Sequence, residues 1–568
     1  MLQKSQTFLL LSSSLFLAWV VMIAYVRPVF LNIASTDALA MIHVLFPFFW
    51  IIILAYAIVC LALFYLRVEG KFLHAWVLVQ LSIILYYTPF ALSGYSFNPD
   101  SMWLATMANY VPSVLSGGNV MFSTYAKTYP SSFVLTRCLT QITGMDVFIF
   151  TRVWPVFSIS LLTLLAYTFG SHFLKPRIAF VAMLLVLPGW HYMDFHMSPH
   201  VTGALLFLTT MVLLTSLESS RIKVTGLIFM SIFAMILAHP VSPINLGIFM
   251  GTAYVLALLS RKIRHAPLRP ISVTLGILLF LIVGWFDWMV NHVFPLDVSI
   301  QYAFRRVATL QFSQSILERV GSFSVGGGSF IYPDIFRLTE LIYASYIIIG
   351  LLLILHEVVS VKVRRRPNNL SLKTITLFAA AICYVAFSYF LLLGTGDHHL
   401  LYRGLIPFIL MISLFIGWHL VRSQRPGITL TKIATLAYVI FLFSSFAIVA
   451  YSVDAYNSFP YSEGIAMKFI ADQVGMQNKT ISMTSDQQLA PYVNLTDHFS
   501  AAKFPPQLNE TRPEIVVVLR SSYYVYAMRY DLSFSQNKVV RLQTQLDVSI
   551  FYDRIYSNPT SEVYVSNP

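Results

Sequence analysis

Residues 73–111 read LHAWVLVQLSIILYYTPFALSGYSFNPDSMWLATMANYV. The apolar run closing near residue 93 is long enough to cross the ~30 Å hydrocarbon core of a bilayer as a helix. A lone carboxylate, Asp100, follows a few residues later. Behind it, WLATMANYV repeats apolar residues three and four apart, the helical period. This order sets an acid at the lipid boundary of a membrane protein.

The whole chain agrees. Of its 568 residues 57% are hydrophobic and 11% charged, and the mean hydropathy is +0.72. A soluble core of that size could not hide so much apolar surface, so the chain reads as a polytopic membrane protein. The net charge of +13 fits cations gathering in cytoplasmic loops. There is no arginine-rich arm or nucleic-acid motif, so nucleic acid is not an expected partner. Cys60, Cys138 and Cys383 lie in or near apolar segments and suggest neither a disulfide framework nor a zinc site.

Thirteen candidate spans follow: 8–26, 41–66, 73–93, 148–169, 178–190, 199–217, 224–238, 242–260, 270–290, 340–360, 373–394, 403–421 and 432–452. The spans at 178–190 and 224–238 are short. With the N-terminus placed in the cytoplasm, even-numbered connections face inward and hold nineteen Lys and Arg against nine on the other side of the membrane region. Most acids fall on the outer side, which points to chemistry there. The first span has no small-residue cleavage site and reads as an anchor. Beyond residue 455 the chain turns polar. A helical pattern at 462–474 and strand-like runs at 479–485, 514–520 and 561–566 predict a small α/β domain. An odd span count puts it outside, in agreement with the sequons at Asn478, Asn494 and Asn509, which are candidate glycosylation sites; a fourth at Asn369 falls in an inward loop.

Several outer stretches carry chemistry-bearing residues. After Asp100, the pattern breaks at Ser116-Gly117-Gly118. It resumes over AKTYPSSFVLTRCLTQITG (126–144), amphipathic enough to lie along the membrane surface. Asp100 can serve as a general base or cap the helix that follows, a role open also to Ser101 and Asn98. WHYMDFHMSPH (190–200) gathers His191, Asp194, His196 and His200 in a D-x-H-x3-H spacing. Carboxylate and imidazole suit a divalent metal, Mg or Mn, held by Asp194, His196 and His200; protonated histidines would instead hold phosphate. The plain alternative is an interfacial turn whose polar tips reach water, with Pro199 opening the next helix. His398, His399 and Arg403 stand at the mouth of a span, where Arg grips phosphate or snorkels to the interface. Lys127, between Tyr125 and Tyr129, offers the same pair of readings. Arg152 lies a few residues inside a span, either as a functional charge or paired with Asp146. His239-Pro240 reads as a helix end. Gly326, Gly327 and Gly328 lack the GK[ST] of a phosphate-binding loop.

An acid after the early spans, a helix, a glycine break and a Tyr-Pro-x-x-Phe-x-Leu element together resemble the first outer loop of the GT-C superfamily of membrane glycosyltransferases. WHYMDFHMSPHVTGALLFL (190–208) resembles a segment that archaeal members carry before a mid-chain span, and DHHLLYRGLIPFILMISLFIG (397–417) resembles their late Arg-x-x-x-Pro-Phe span. The chain lacks the WWDYG-type signature of oligosaccharyltransferase catalytic subunits. It has Asn98-Pro99-Asp100-Ser101 where many protein mannosyltransferases have an Asp-Glu pair.

The resemblance implies a polytopic GT-C-like domain over 1–454, with interfacial helices in the 94–147 loop, and a C-terminal extracytoplasmic α/β domain over 455–568. It implies inverting transfer of a sugar from a polyprenyl (dolichyl) phosphate donor to a glycan, lipid or protein acceptor at the outer face of the cell membrane. Asp100 would be the base, and Lys127, Arg152, Arg403 and the histidines would hold the leaving phosphate. Two rivals stay open: a transporter or flippase for lipid-linked sugars, and a non-catalytic assembly subunit embedded among membrane lipids.

Overall fold

Apolar runs without internal breakers propagate as helices, because in hydrocarbon every backbone N–H and C=O must find its partner inside the protein. The computed structural model of the chain describes residues 2–33, 40–68, 70–92, 99–109, 111–112, 123–190, 195–215, 221–264, 269–292, 331–364, 372–395, 398–422, 438–439, 441–446, 480–483, 500–502, 515–519, 552–558 and 561–566.

In chain order the helices are α1 (Leu2–Ile33), α2 (Ala40–Leu45), α3 (Phe48–Tyr65), α4 (Lys71–Leu92), α5 (Pro99–Asn109), α6 (Ser123–Thr128), α7 (Pro130–Thr143) and α8 (Val147–Phe173). They continue with α9 (Pro176–Gly189), α10 (Pro199–Thr215), α11 (Arg221–Ala238), α12 (Val241–Arg264), α13 (Arg269–His292), α14 (Ile331–Arg364), α15 (Leu372–Thr395) and α16 (His398–Arg422). Among the described residues, six helices are long and apolar enough to cross a membrane: 3–30, 48–65, 71–92, 149–173, 241–259 and 404–421. Shorter apolar helices account for the remaining expected spans up to 421. The span expected at 432–452 lies mostly outside the described residues.

Two expectations change. The helix α1 does not stop before Arg27-Pro28 but runs through Pro28 to Ile33. The single amphipathic helix expected at 126–144 is two helices broken at Tyr129, because Pro130 has no N–H to continue the ladder and instead opens α7.

Tightly packed helices form the core. Helix α16 lies against α9 and α15, α9 against α8, and α8 against α4 and α10. At Gly417 an added Cβ would meet the backbone N of Ala182 and O of Ile178 at 3.1 Å, so only glycine lets α16 and α9 touch main chain to main chain. Polar side chains bury by bonding one another: Trp19 Nε1 donates to Thr88 Oγ1 at 3.0 Å, and Tyr56 Oη donates to Ser12 O at 2.7 Å. Large apolar side chains such as Leu17, Val21, Met230, Phe233, Val283 and Phe286 are exposed around the perimeter. In water such a surface would aggregate; in lipid it is the expected outer face.

The polar tail forms a five-stranded mixed sheet in the order β2-β1-β3-β5-β4. Its strands are β1 (Thr480–Met483), β2 (Ser500–Ala502), β3 (Ile515–Leu519), β4 (Tyr552–Asn558) and β5 (Ser561–Ser566). β1 pairs in parallel with β2 and β3, and β5 runs antiparallel to β3 and β4. Three strands answer the predicted runs; β2 and β4 are additions. The helix expected at 462–474 and the sequons at Asn478, Asn494 and Asn509 lie outside the described residues, as does Asn369.

Candidate functional site

Helix α9 is the element that makes a site. Its 14 residues rise about 21 Å at 1.5 Å each, short of the ~30 Å of a bilayer core. It therefore ends at membrane depth, where no water can take its last carbonyls. The main-chain N–H of Trp190 takes Val186 O at 3.1 Å and Leu187 O at 3.3 Å, and aromatic side chains gather around the same helix end. Tyr346 donates to Leu185 O, Tyr86 to Leu187 O, and Tyr343 to Gly189 O at 3.4 Å. Trp190, just past the helix, donates Nε1 to Ile406 O of α16 at 3.2 Å.

Residues 195–198 are not helical, yet Phe195, His196, Met197 and Ser198 are all buried. Irregular backbone at this depth is tolerated only where it is enclosed by protein or lines a cavity. Ser198 then caps α10, its Oγ accepting Val201 N–H at 3.4 Å, with Pro199 in the first helical position. His196 (8% exposed) and His200 (9% exposed) are therefore interior side chains. The alternative of an interfacial turn reaching into water does not hold for them.

Opposite His200 stands a residue that sequence reasoning passed over. His239, in the corner between α11 and α12, is buried; its ring centroid is 5.8 Å from that of His200 and 6.4 Å from that of Tyr129. Ser242 Oγ shares a hydrogen bond with His239 Nδ1 at 3.4 Å. His200, His239, Ser242 and Asn245 line one side of a cavity of about 20 Å³; Phe207, Ile406 and Pro407 are among the apolar residues closing it. Gly203 makes the approach possible, since a Cβ there would fall 2.8 Å from His239 Cβ. The signal was present as H-P-V-S-P-I-N (239–245), with polar residues every third position at the start of a helix.

The α5–α7 loop is clasped to this end of the bundle. Ser132 Oγ and Thr202 Oγ1 share a hydrogen bond at 3.1 Å, Arg137 Nη1 donates to Asn109 Oδ1 at 3.0 Å, and Trp288 Nε1 donates to Thr128 O at 3.2 Å. Helix α7 turns Ser132, Thr136 and Thr140 inward and leaves Val134, Leu135 and Ile142 exposed. That is the reverse of a helix facing water, and it fits one whose outer face meets lipid.

The remaining candidates lie on other helices. Asp100 is the second residue of α5, after Pro99. Lys127 is exposed on α6, and Arg152 is half-buried in the second turn of α8. Tyr87 Oη donates to the Arg152 carbonyl at 3.2 Å, and Asp146 Oδ1 caps α8 by accepting Ile149 N–H at 3.2 Å. His398, His399 and Arg403 occupy the first two turns of α16. The side chains of Asp100, His398, His399 and Arg403 lie outside the described residues, as do His191 and Asp194 altogether. Among the described residues no three His, Cys, Asp or Glu side chains converge. Two imidazoles with one carboxylate suit manganese better than magnesium, which favours oxygen ligands alone.

Solved structures similar to this chain include ArnT and an archaeal oligosaccharyltransferase. ArnT from Cupriavidus metallidurans, bound to undecaprenyl phosphate, has a TM-score of 0.48 at 11% identity, over 87% of this chain and 98% of ArnT. The apo oligosaccharyltransferase of Archaeoglobus fulgidus gives 0.47 at 12% identity, over 89% of this chain and 75% of its own. Tethered to an acceptor peptide, the same enzyme gives 0.48 at 11% identity, over 88% and 74%. No family model and no curated protein matches the chain. At this level the likeness is one of helical course and assigns no chemistry.

Proposed function

We propose that this chain is an integral membrane glycosyltransferase that moves a sugar, with inversion, from a polyprenyl (dolichyl) phosphate donor to an acceptor at the outer face. The observation that carries the reading is the truncated α9. A helix too short to cross the core alone, followed by buried irregular backbone at His196 and a buried His200, would supply polar protein for a lipid phosphate. Asp100, Lys127, Arg152 and Arg403 would complete the site in this reading.

Transfer requires a base for the acceptor hydroxyl proton and positive charge for the departing phosphate. Asp100 is the base in this reading. Lys127, Arg152, Arg403, His398 and His399, with His191, His196 and His200, hold the phosphate. A manganese ion on Asp194, His196 and His200 would add charge stabilisation there when bound. The N-terminus is cytoplasmic, the sheet domain extracytoplasmic and able to contribute to acceptor recognition, and Asn478, Asn494 and Asn509 accessible to glycosylation.

A broken helix at membrane depth is also a hallmark of transporters, so a flippase for lipid-linked sugars is the second reading. The substitution Asp100→Asn separates the two. An enzyme loses transfer, by about 10²-fold or more for a missing general base, yet keeps its affinity for the donor lipid. A flippase or a passive assembly subunit is indifferent to the change. Profiling surface glycans of cells lacking the chain identifies the missing sugar and its acceptor; an unaltered profile would remove the enzymatic reading.

A further inference from the structure

We propose that the cavity between α10, α12 and α16 is a binding site for one ordered water molecule, held by Asn245 and shared with the His200–His239 pair. Its volume of about 20 Å³ exceeds the roughly 10–15 Å³ that a single water needs. Its polar lining is His200, His239, Ser242 and Asn245, and no carboxylate is among the described lining residues.

The decisive group is Asn245. The residue is 6% exposed, and its Oδ1 has no hydrogen-bond partner among the described residues. Its position is fixed, because its main-chain carbonyl accepts Tyr384 Oη from α15 at 2.7 Å. The side chain therefore cannot leave to find water elsewhere, and a buried amide oxygen requires a donor. Water supplies two donors and two acceptors. If the amide is turned over, its N–H groups meet the water's lone pairs instead, and the site is equally satisfied. The contact between Ser242 Oγ and His239 is long, at 3.4 Å, and leaves the Ser242 hydroxyl able to take a second partner. A water here would link α12 to His200 on α10, making Asn245 a positioning residue for that imidazole.

The test is a structure of the full chain in lipid nanodiscs, without any sugar lipid, at a resolution that shows ordered water. The expected result is a peak about 2.6–3.2 Å from the Asn245 amide and from at least one of His200, His239 and Ser242. Asn245→Leu keeps the shape and removes the polar group; the peak should disappear while the thermal midpoint holds. In that variant the ¹⁵N resonances of the His200 and His239 rings should move, and Asn245→Asp should restore the peak. An empty cavity in the parent protein overturns the proposal, even should Asn245→Leu fail to fold. So does a peak that forms only when a sugar lipid is added, or one with the anomalous signal of a metal. None of these readouts involves transfer activity, so loss of the glycosyltransferase reading would leave the result standing.

Discussion

Gly203→Ala puts one methyl group into the wall of the histidine cavity, and its cost follows from what that methyl meets. The Cβ would stand 2.8 Å from His239 Cβ and nearer still to Ser242 Oγ. The two neighbours differ in freedom. Ser242 can swing its hydroxyl aside by changing rotamer. His239 Cβ moves only with the main chain of the α11–α12 corner, and that corner is anchored by Trp285 Nε1, which donates to Pro240 O at 2.9 Å. Helix α10 must therefore retreat. Overpacking of this kind costs about 1–3 kcal/mol, while replacing glycine by alanine inside a helix gains about 1 kcal/mol. The net loss is about 1 kcal/mol and at most about 2 kcal/mol. Thermal and denaturant unfolding of the full chain in lipid nanodiscs measures it. Ser242→Ala in the same chain should recover part of the loss, with a coupling of about 0.5 kcal/mol or more. Because the retreat also parts His200 from His239, transfer activity should fall alongside. A Gly203→Ala protein more stable than its parent, showing the helix gain with no overpacking cost, would refute the close approach of α10 to the corner, and with it the cavity.

Other substitutions probe the supports of the site. Tyr346→Phe strips the hydroxyl that adds a second bond to Leu185 O and should cost about 0.6 kcal/mol, the average for hydrogen bonds within membranes; an unchanged unfolding midpoint would show that the bond between α14 and α9 contributes nothing. Ser132→Ala or Thr202→Val alone breaks the bond at 3.1 Å and should cost about 1 kcal/mol, whereas the double variant should cost clearly less than the sum, because no orphan hydroxyl remains. Trp288→Phe releases Thr128 O from its 3.2 Å contact, and hydrogen exchange over residues 123–130 should quicken while the core of α8 is unaffected.

The sequence disclosed helices well and depth poorly. Hydropathy is summed along the chain, so every described apolar run from α1 to α16 could be read one at a time. The interval 178–190 even stood out as short, but its meaning lay in the tyrosines of α4 and α14 that receive its end. Those residues are about a hundred positions before it and more than a hundred and fifty after it. Without them, WHYMDFHMSPH looks like any loop reaching for water. The sheet shows the same limit: SAA and YDRIYSN are too short or too polar to announce strands, and they form because neighbours offer them a ladder.

His239 makes the general point in one residue. Read alone, a His-Pro after an apolar run is a helix end, and the expectation was right as far as it went, since α11 does stop there. The histidine becomes part of a site only because α10 arrives beside it, and α10 can arrive because residue 203 has no side chain to hold it off. Polar residues spaced by three at the head of α12, and histidines spaced by four across the head of α10, are each half of one arrangement. Each half costs free energy at membrane depth unless the other is present to satisfy it. A polar residue inside a membrane protein is thus better read as a demand for a partner than as a feature of its own helix. Here the demand of Asn245 is met by nothing else described in the protein, which is why a water molecule belongs there.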